Sequence, residues 1–229
     1  MSWHATALYY RQLNELSEAR HGPRGNAESV LVTLSFAPLF EAVVAGDEAA
    51  AIRRIADVAR QVEAGGAGCV LLTAFTAHFA AEAVSQTVSI PLLHAGDALA
   101  AESRARGYGR IGLLGTGFTL RAGHVAARVE DAGVEVVLPP DDLAEEIDTT
   151  ILGELTEGVV SESAGEALDR AVASLAERGA DAVALACTEL PLLLPRPTPV
   201  PLIDGVKAHV LYALDRMAQD GTGHAGGRS

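Results

Sequence analysis

Gly179-Ala-Asp-Ala-Val-Ala-Leu-Ala-Cys187 is the stretch that decides the fold, because Gly66-Ala-Gly-Cys-Val-Leu-Leu-Thr-Ala74 repeats it. Each stretch follows a helix-like segment and runs through short apolar residues, which is the pattern of a buried strand that leads into a new helix. When the two leading glycines are aligned, Ala74 stands opposite Cys187. The repeat predicts a protein of two related halves.

The same alternation continues along the rest of the chain and is typical of βα units with parallel sheets. It predicts strands at 29–36, 68–74, 89–94, 109–115, 134–138, 181–187 and 199–203. It predicts helices at 4–20, 47–64, 76–86, 97–106, 119–132, 163–178 and 205–218. Ligands of such sheets bind outside the carboxyl ends of the strands, so we expect positions 74 and 187 to approach one cleft.

Bulk properties exclude several classes of protein. The 229 residues are 49% hydrophobic and carry a net charge of −13, which disfavours nucleic acid and anionic membrane surfaces as partners. The sequence shows no signal-peptide pattern and no apolar run of membrane-spanning length, so a cytoplasmic location is expected. A disulfide between Cys69 and Cys187 is not expected in a reducing cytosol, and their spacing fits no metal site.

Several motifs together resemble the aspartate/glutamate racemase family over nearly the whole chain. They are Met1-Ser2-Trp3 with Tyr9-Tyr10-Arg11, Thr76-Ala77-His78, His94-Ala95-Gly96-Asp97, Leu113-Leu114-Gly115-Thr116 with Thr119, Cys187-Thr188-Glu189-Leu190-Pro191, and Asp204 with His209. The resemblance implies two pseudo-symmetric α/β domains of parallel sheet, Rossmann-like or flavodoxin-like, with the active site between them, in a homodimer. The expected domains are 1–98 with 205–220, and 99–204, followed by a disordered tail at 221–229.

The family moves a proton at the carbon alpha to a carboxylate, with two cysteines and without pyridoxal phosphate. The resemblance therefore implies a small carboxylic acid or amino acid substrate and no cofactor. Cys187 matches the second catalytic cysteine, and we expect backbone N–H groups at a helix turn to lower the pKa of its thiol. The resemblance assigns substrate binding to Ser2, Ala74, Phe75, Thr76, Thr116, Thr119 and Thr188, and supporting roles to His78, Glu189, Asp204 and His209.

Ala74 and Phe75 depart from the family motif, which reads Cys-Asn-Thr-Ala-His or Thr-Asn-Thr-Met-His at this position. Ala74 cannot transfer a proton, so Cys187 is expected to be the sole thiol acid/base, as the second cysteine is in arylmalonate decarboxylase. Phe75 makes this side of the cleft more apolar. Three hypotheses follow: a proton-transfer isomerase, a one-cysteine lyase or other one-sided isomerase or cyclase, and a carboxylate-binding protein without turnover.

The family also has a strand ending in Gly-Gly just before the Met-Ser-Trp motif, whereas this chain begins at Met1. We expect either a start codon upstream or a short chain with an open slot in its sheet, and favour the first.

Three local patterns are interpreted as structural and not as functional sites. Cys69 is predicted to be a small buried hydrophobe within a strand. Gly115-Thr116-Gly117 lacks the lysine and the further glycine of a phosphate loop. The carboxylates of Asp141, Asp142, Glu145 and Glu146 are more typical of a solvated helix start than of a metal site, so no metal is predicted.

Overall fold

The computed structural model describes residues 3–219. Their contacts divide into two compact units. Among the described residues, the first unit holds 3–73, Phe79–His94 and 209–219. The second unit holds Ala74–His78 and Ala95–Ala208.

The first unit is mainly helical. It contains α1 (Trp3–His21), α2 (Phe36–Val44), α3 (Glu48–Ala64) and α4 (Ala81–Thr87). Asp47 caps α3 by accepting a hydrogen bond from the Ala50 amide, and a 3₁₀ helix, Phe75–Ala80, precedes α4.

The strand predicted at 29–36 is wrong. Residues 28–35 form no strand, and α2, which the sequence analysis missed, begins at Phe36. The apolar residues Val30 and Leu31 are 38% and 50% exposed, so the burial that stabilises a parallel strand is lacking. The predicted strands 68–74 and 89–94 are reduced to a single parallel bridge between Val70 and Leu92. A strand persists only where a neighbouring backbone pairs with it.

The second unit contains a four-stranded parallel sheet. Its strands are β1 (Arg110–Leu114), β2 (Glu135–Val137), β3 (Ala182–Leu185) and β4 (Leu202–Asp204), in the order β2-β1-β3-β4. Leu114 lies opposite Leu185, and Leu185 lies opposite Asp204. The four carboxyl ends therefore meet at one edge, and the predicted α/β fold with a parallel sheet is confirmed.

Helices cover this sheet. They are α5 (Ala95–Ala105), α6 (Gly117–Ala122), α7 (His124–Asp131), α8 (Asp141–Gly153), α9 (Glu162–Glu177) and the start of α10 (Gly205–Gln219), with 3₁₀ turns at Leu155–Glu157 and Leu190–Leu193. Leu168 and Leu175 of α9 are fully buried against the sheet, and burial of each leucine contributes about 1.5–3 kcal/mol. Gly112 permits this approach, because a Cβ there would lie 2.8 Å from Leu175 Cδ1.

The backbone confirms the internal repeat. Gly66 and Gly179 both have left-handed φ angles, +89° and +87°, and end the preceding helices in the same way. Val70 donates its amide to Pro91 O and Val183 donates to Pro201 O, both at 2.9 Å. The repeat therefore extends to 90–94 and 200–204, a second match that the sequence analysis missed.

None of the helices within residues 3–219 is long and apolar enough to cross a membrane.

Candidate active site

The site residues of the second unit lie near the topological switch point of the sheet, where the connections after β1 and β3 run in opposite directions. The chain leaves β1 towards β2 on one side and leaves β3 towards β4 on the other, and ligands of such a sheet are expected outside the carboxyl ends of β1 and β3. The two ends are in close contact, since Ala186 N donates to Leu114 O at 2.6 Å and a Cβ on Gly115 would lie 2.9 Å from Ala186 O. Thr116 and Cys187 are the next residues of the two strands and share this edge.

The 3₁₀ helix contributes a third segment to the same edge. A Cβ on Gly205 would lie 2.6 Å from Phe75 Cζ and 2.5 Å from Leu185 O, so the phenyl ring packs on the start of α10. The Thr76 hydroxyl lies 3.1 Å from that of Thr119. Phe75 is buried, as is Ala74 before it. Phe75 is thus a buried packing residue at the carboxyl edge of the sheet, against the start of α10.

His78 fixes the backbone of this segment. Its buried Nε2 accepts a hydrogen bond from Ala95 N at 3.1 Å. The proton is therefore on Nδ1, which donates to the carbonyls of Ala74 and Phe75 at 3.0 and 3.1 Å. Both ring nitrogens therefore bond to backbone groups, which fits the expected supporting role of His78.

Cys187 and Thr188 converge on one carboxylate. Cys187 Sγ and Thr188 Oγ1 donate to the same oxygen, Glu189 Oε2, over 3.1 and 2.5 Å. Burial raises the pKa of the Cys187 thiol far above its ordinary value, and the charge of Glu189 raises it further. Backbone N–H groups of Glu189 and Leu190 lower it only in part. The expected lowering of the Cys187 pKa is therefore wrong, because burial and the Glu189 carboxylate outweigh the N–H groups.

The threonines of α6 form a connected group. Thr116 caps the helix, since its Oγ1 accepts a hydrogen bond from Thr119 N at 3.3 Å, and its hydroxyl lies 2.9 Å from that of Thr119. The amide of Gly117 donates to Asp148 Oδ1 of α8 at 2.8 Å. Sequence reasoning missed Asp148, because no motif marks it and only the packing of α8 brings it to α6.

The remaining predicted site residues make other contacts. His209 belongs to the first unit, where its Nε2 donates to Leu93 O at 2.7 Å and its Nδ1 lies 3.0 Å from the Tyr9 hydroxyl. Asp204 ends β4 and caps α10 by accepting a hydrogen bond from Lys207 N at 3.0 Å. Ser2 lies outside the described residues. Cys69, in the first unit, is half-buried.

The acidic run falls on the first turns of α8, where Asp141 and Asp142 begin the helix and Glu146 pairs with Arg170 at 2.6 Å. Across residues 3–219, no three His, Cys, Asp or Glu side chains form a group that could hold a metal ion.

Comparison with known proteins finds similar chains. The chain is similar to a candidate Asp/Glu racemase from Yersinia pestis, with 30% identity and a TM-score of 0.88 over 95% of this chain and 96% of that one. It is similar to an aspartate racemase homologue from Pyrococcus horikoshii, with 26% identity and a TM-score of 0.82 over 95% of each chain. An aspartate racemase from Picrophilus torridus, 21% identical, shares the fold with a TM-score of 0.70 over 93% of this chain and 89% of that one.

The sequence model of the family described as Asp/Glu/Hydantoin racemase matches residues 1–213. The chain therefore belongs to the Asp/Glu/Hydantoin racemase family, whose members are isomerases that work without pyridoxal phosphate.

Proposed function

We propose that this protein transfers a proton at the carbon alpha to a carboxylate of a small amino acid or dicarboxylic acid, with Cys187 as its only thiol acid/base. The observation that carries the proposal is the hydrogen bond of 3.1 Å from Cys187 Sγ to Glu189 Oε2 at the carboxyl end of β3. That bond joins a proton donor to a group able to receive its proton.

Because its pKa is raised, the Cys187 thiol holds its proton at rest, so its first step is donation. The protonated thiol donates to a planar carbanion and forms the new C–H bond. In the reverse direction, the thiol proton passes to Glu189, the thiolate removes the α-proton, and the C–H electron pair is delocalised into the carboxylate as an enediolate. Hydroxyl groups of the threonines at this edge can stabilise that enediolate by donating hydrogen bonds.

Ala74 makes the proposed reaction one-sided. The family has its first catalytic cysteine at this position, whereas the methyl group of Ala74 has no proton to exchange. We therefore expect Cys187 to exchange the α-proton of one enantiomer with solvent, and to return it to the same face. Exchange with retained configuration should exceed racemisation.

Solvent-deuterium incorporation tests this proposal. D- and L-amino acids and substituted malonates are incubated in deuterium oxide with wild type, Cys187→Ser and Cys69→Ser, and mass spectrometry and NMR measure the label. Wild type and Cys69→Ser should label one enantiomer of a substrate, and Cys187→Ser should label neither. Equal labelling by Cys187→Ser would reject the thiol mechanism.

A second candidate function is decarboxylation, and the protonated state of Cys187 together with Ala74 favours it. In that reaction the C–C bond to one carboxylate of a disubstituted malonate breaks and CO₂ leaves. The electron pair stays on the carbon as an enediolate, and Cys187 protonates it from one face. CO₂ release that depends on Cys187 would identify a lyase. A protein that only binds carboxylates would do neither, yet would gain thermal stability with a bound acid.

A further inference from the structure

Three hydroxyl groups of the second unit form a line. The Thr76 and Thr119 hydroxyl oxygens are 3.1 Å apart, and those of Thr119 and Thr116 are 2.9 Å apart. Thr119, in the middle, is 4% exposed, whereas Thr76 and Thr116 are half-buried. The central residue is thus closed off from solvent, and the two end residues are partly exposed.

Each hydroxyl has one proton to donate, which limits the possible directions of the hydrogen bonds along this line. Within the described residues, the Thr119 hydroxyl contacts no polar group other than these two hydroxyls, so its single proton goes to one of them. The receiving hydroxyl keeps its own proton for another acceptor, while the opposite hydroxyl donates to Thr119. The hydroxyl that receives the Thr119 proton can therefore donate its own proton outward, and the orientation of the Thr119 hydroxyl determines which end this is.

Two contacts at the N-terminus of α6 favour Thr76 as that end. The amide of Thr119 donates to Thr116 Oγ1, so a chain of donors that begins at this amide runs from Thr116 through Thr119 to Thr76. Asp148 Oδ1 accepts from the amide of Gly117, the residue next to Thr116, and its negative charge repels an anion from that end. Hydrogen bonds that run in one direction strengthen one another, which makes the last hydroxyl the stronger donor.

We propose that Thr119 is a positioning residue, which does not touch the substrate, and that it turns the Thr76 hydroxyl outward as the donor to a substrate carboxylate. This inference deepens the proposed function and rests on it for the identity of the anion. It differs from the expected role of Thr119 as a direct substrate ligand.

Malonate is the probe for the test, because it presents a carboxylate whether or not the protein turns it over. Calorimetry measures its Kd with wild type, Thr76→Val, Thr119→Val, the double variant and Thr119→Ser. Thr76→Val should raise Kd by about 10- to 100-fold, the cost of one hydrogen bond to a charged group. Thr119→Val should raise it several-fold, the double variant should equal Thr76→Val, and Thr119→Ser should restore wild-type binding.

Non-additivity is the decisive readout, since a residue that acts only through Thr76 has no effect once Thr76 is gone. An unchanged Kd for Thr119→Val overturns the inference, as do losses that multiply in the double variant or no binding by wild type. If valine at this buried position prevents folding, Thr119→Ala, which adds no contact, replaces it in the cycle.

Deuterium exchange run on the same samples separates the two proposals. Thr119-dependent malonate binding without exchange would reject the proposed function and keep the inference. Exchange in wild type with Thr119-independent binding would reject the inference alone.

Discussion

Some of the groups that shift the pKa of Cys187 can be identified from the sequence, and others only from the fold. The sequence shows that Cys187 ends an apolar run, and the backbone N–H groups expected after it do lower its pKa. Its burial and the direction of the Glu189 side chain depend on the fold, and these two effects dominate. The position of Cys187 at the end of a strand could be predicted from the sequence, whereas the direction of its pKa shift could not.

Glu189→Gln should lower the pKa of Cys187, because the carboxylate charge disappears while the burial remains. The pKa should stay above that of a free thiol. Since the thiolate is the reactive form, alkylation by iodoacetamide should become faster at about pH 8. The measurement is the alkylation rate against pH in a Cys69→Ser background, which leaves one thiol. A midpoint that stays in place or moves to higher pH would contradict the assigned role of Glu189.

Gly205→Ala should destabilise the protein by about 1–3 kcal/mol, because the new Cβ would overlap a backbone carbonyl and the Phe75 ring. Gly109→Ala is the matched control, since its nearest neighbour would be Asp181 Oδ2 at 3.9 Å, an ordinary contact. Urea unfolding of both variants measures the difference. Equal free energies of unfolding for the two variants would show that the Phe75 ring moves away from position 205 without cost, so that its packing there is not fixed.

At the scale of elements, prediction succeeded where burial is complete. The central strands β1 and β3 lie within two residues of their expected bounds, because their apolar runs are almost completely buried. The edge strands β2 and β4 are only partly buried and lie within three residues of theirs. The predicted helix 119–132 is split by Gly123, whose φ of +69° ends α6. The expected strand at 29–36 failed because an apolar run indicates a strand only if a neighbour covers it, and sequence periodicity does not report neighbours.

Arg196 links the loop between β3 and β4 to α9. Its guanidinium lies over Gly165, where a Cβ would be 2.2 Å from Nη1, and it bonds to Asp169 at 2.7 Å. This hydrogen bond is the main reason that the pKa of Asp169 lies below its ordinary value. The pair thus fastens the loop that leads to β4.

A depressed carboxyl pKa gives a defined pH dependence. The pair stabilises the fold above the ordinary aspartate pKa, about 4, and the contribution is lost as pH falls through the lower pKa of the folded state. Asp169→Asn should therefore lower the free energy of unfolding at pH 7 by up to about 1 kcal/mol, since the pair is partly exposed.

Unfolding of Asp169→Asn and wild type between about pH 2 and 7 measures this effect, and the two curves should converge at the acidic end. Glu145→Gln, an exposed position of α8, is the control and should follow wild type throughout. A constant gap between Asp169→Asn and wild type would show that the ion pair is not its source.

At the scale of the whole molecule, the repeat carried the prediction of function. Equivalent hydrogen bonds at Val70 and Val183 relate the two halves, so the alignment of Ala74 with Cys187 is structural as well as sequential. Asp148 shows the limit of this approach, because it reaches the N-terminus of α6 from a helix without a motif.

The same equivalence leads to the last prediction. Ala74→Cys places a thiol at the position that the repeat pairs with Cys187, and so supplies an acid/base for the opposite face of the substrate. Racemisation should then rise towards the rate of α-proton exchange, because a proton removed by one thiol can be replaced by the other. Chiral chromatography after incubation in deuterium oxide measures both rates, with Ala74→Ser as the matched control of similar size.

The double variant Ala74→Cys/Cys187→Ser sharpens this test. It retains a thiol on the other side alone, so it should exchange the enantiomer that wild type leaves unlabelled, without racemising it. If the folded Ala74→Cys variant racemises no faster than wild type, the thiol at position 74 does not reach the substrate, and the loss of the first cysteine is only one of several changes on that side.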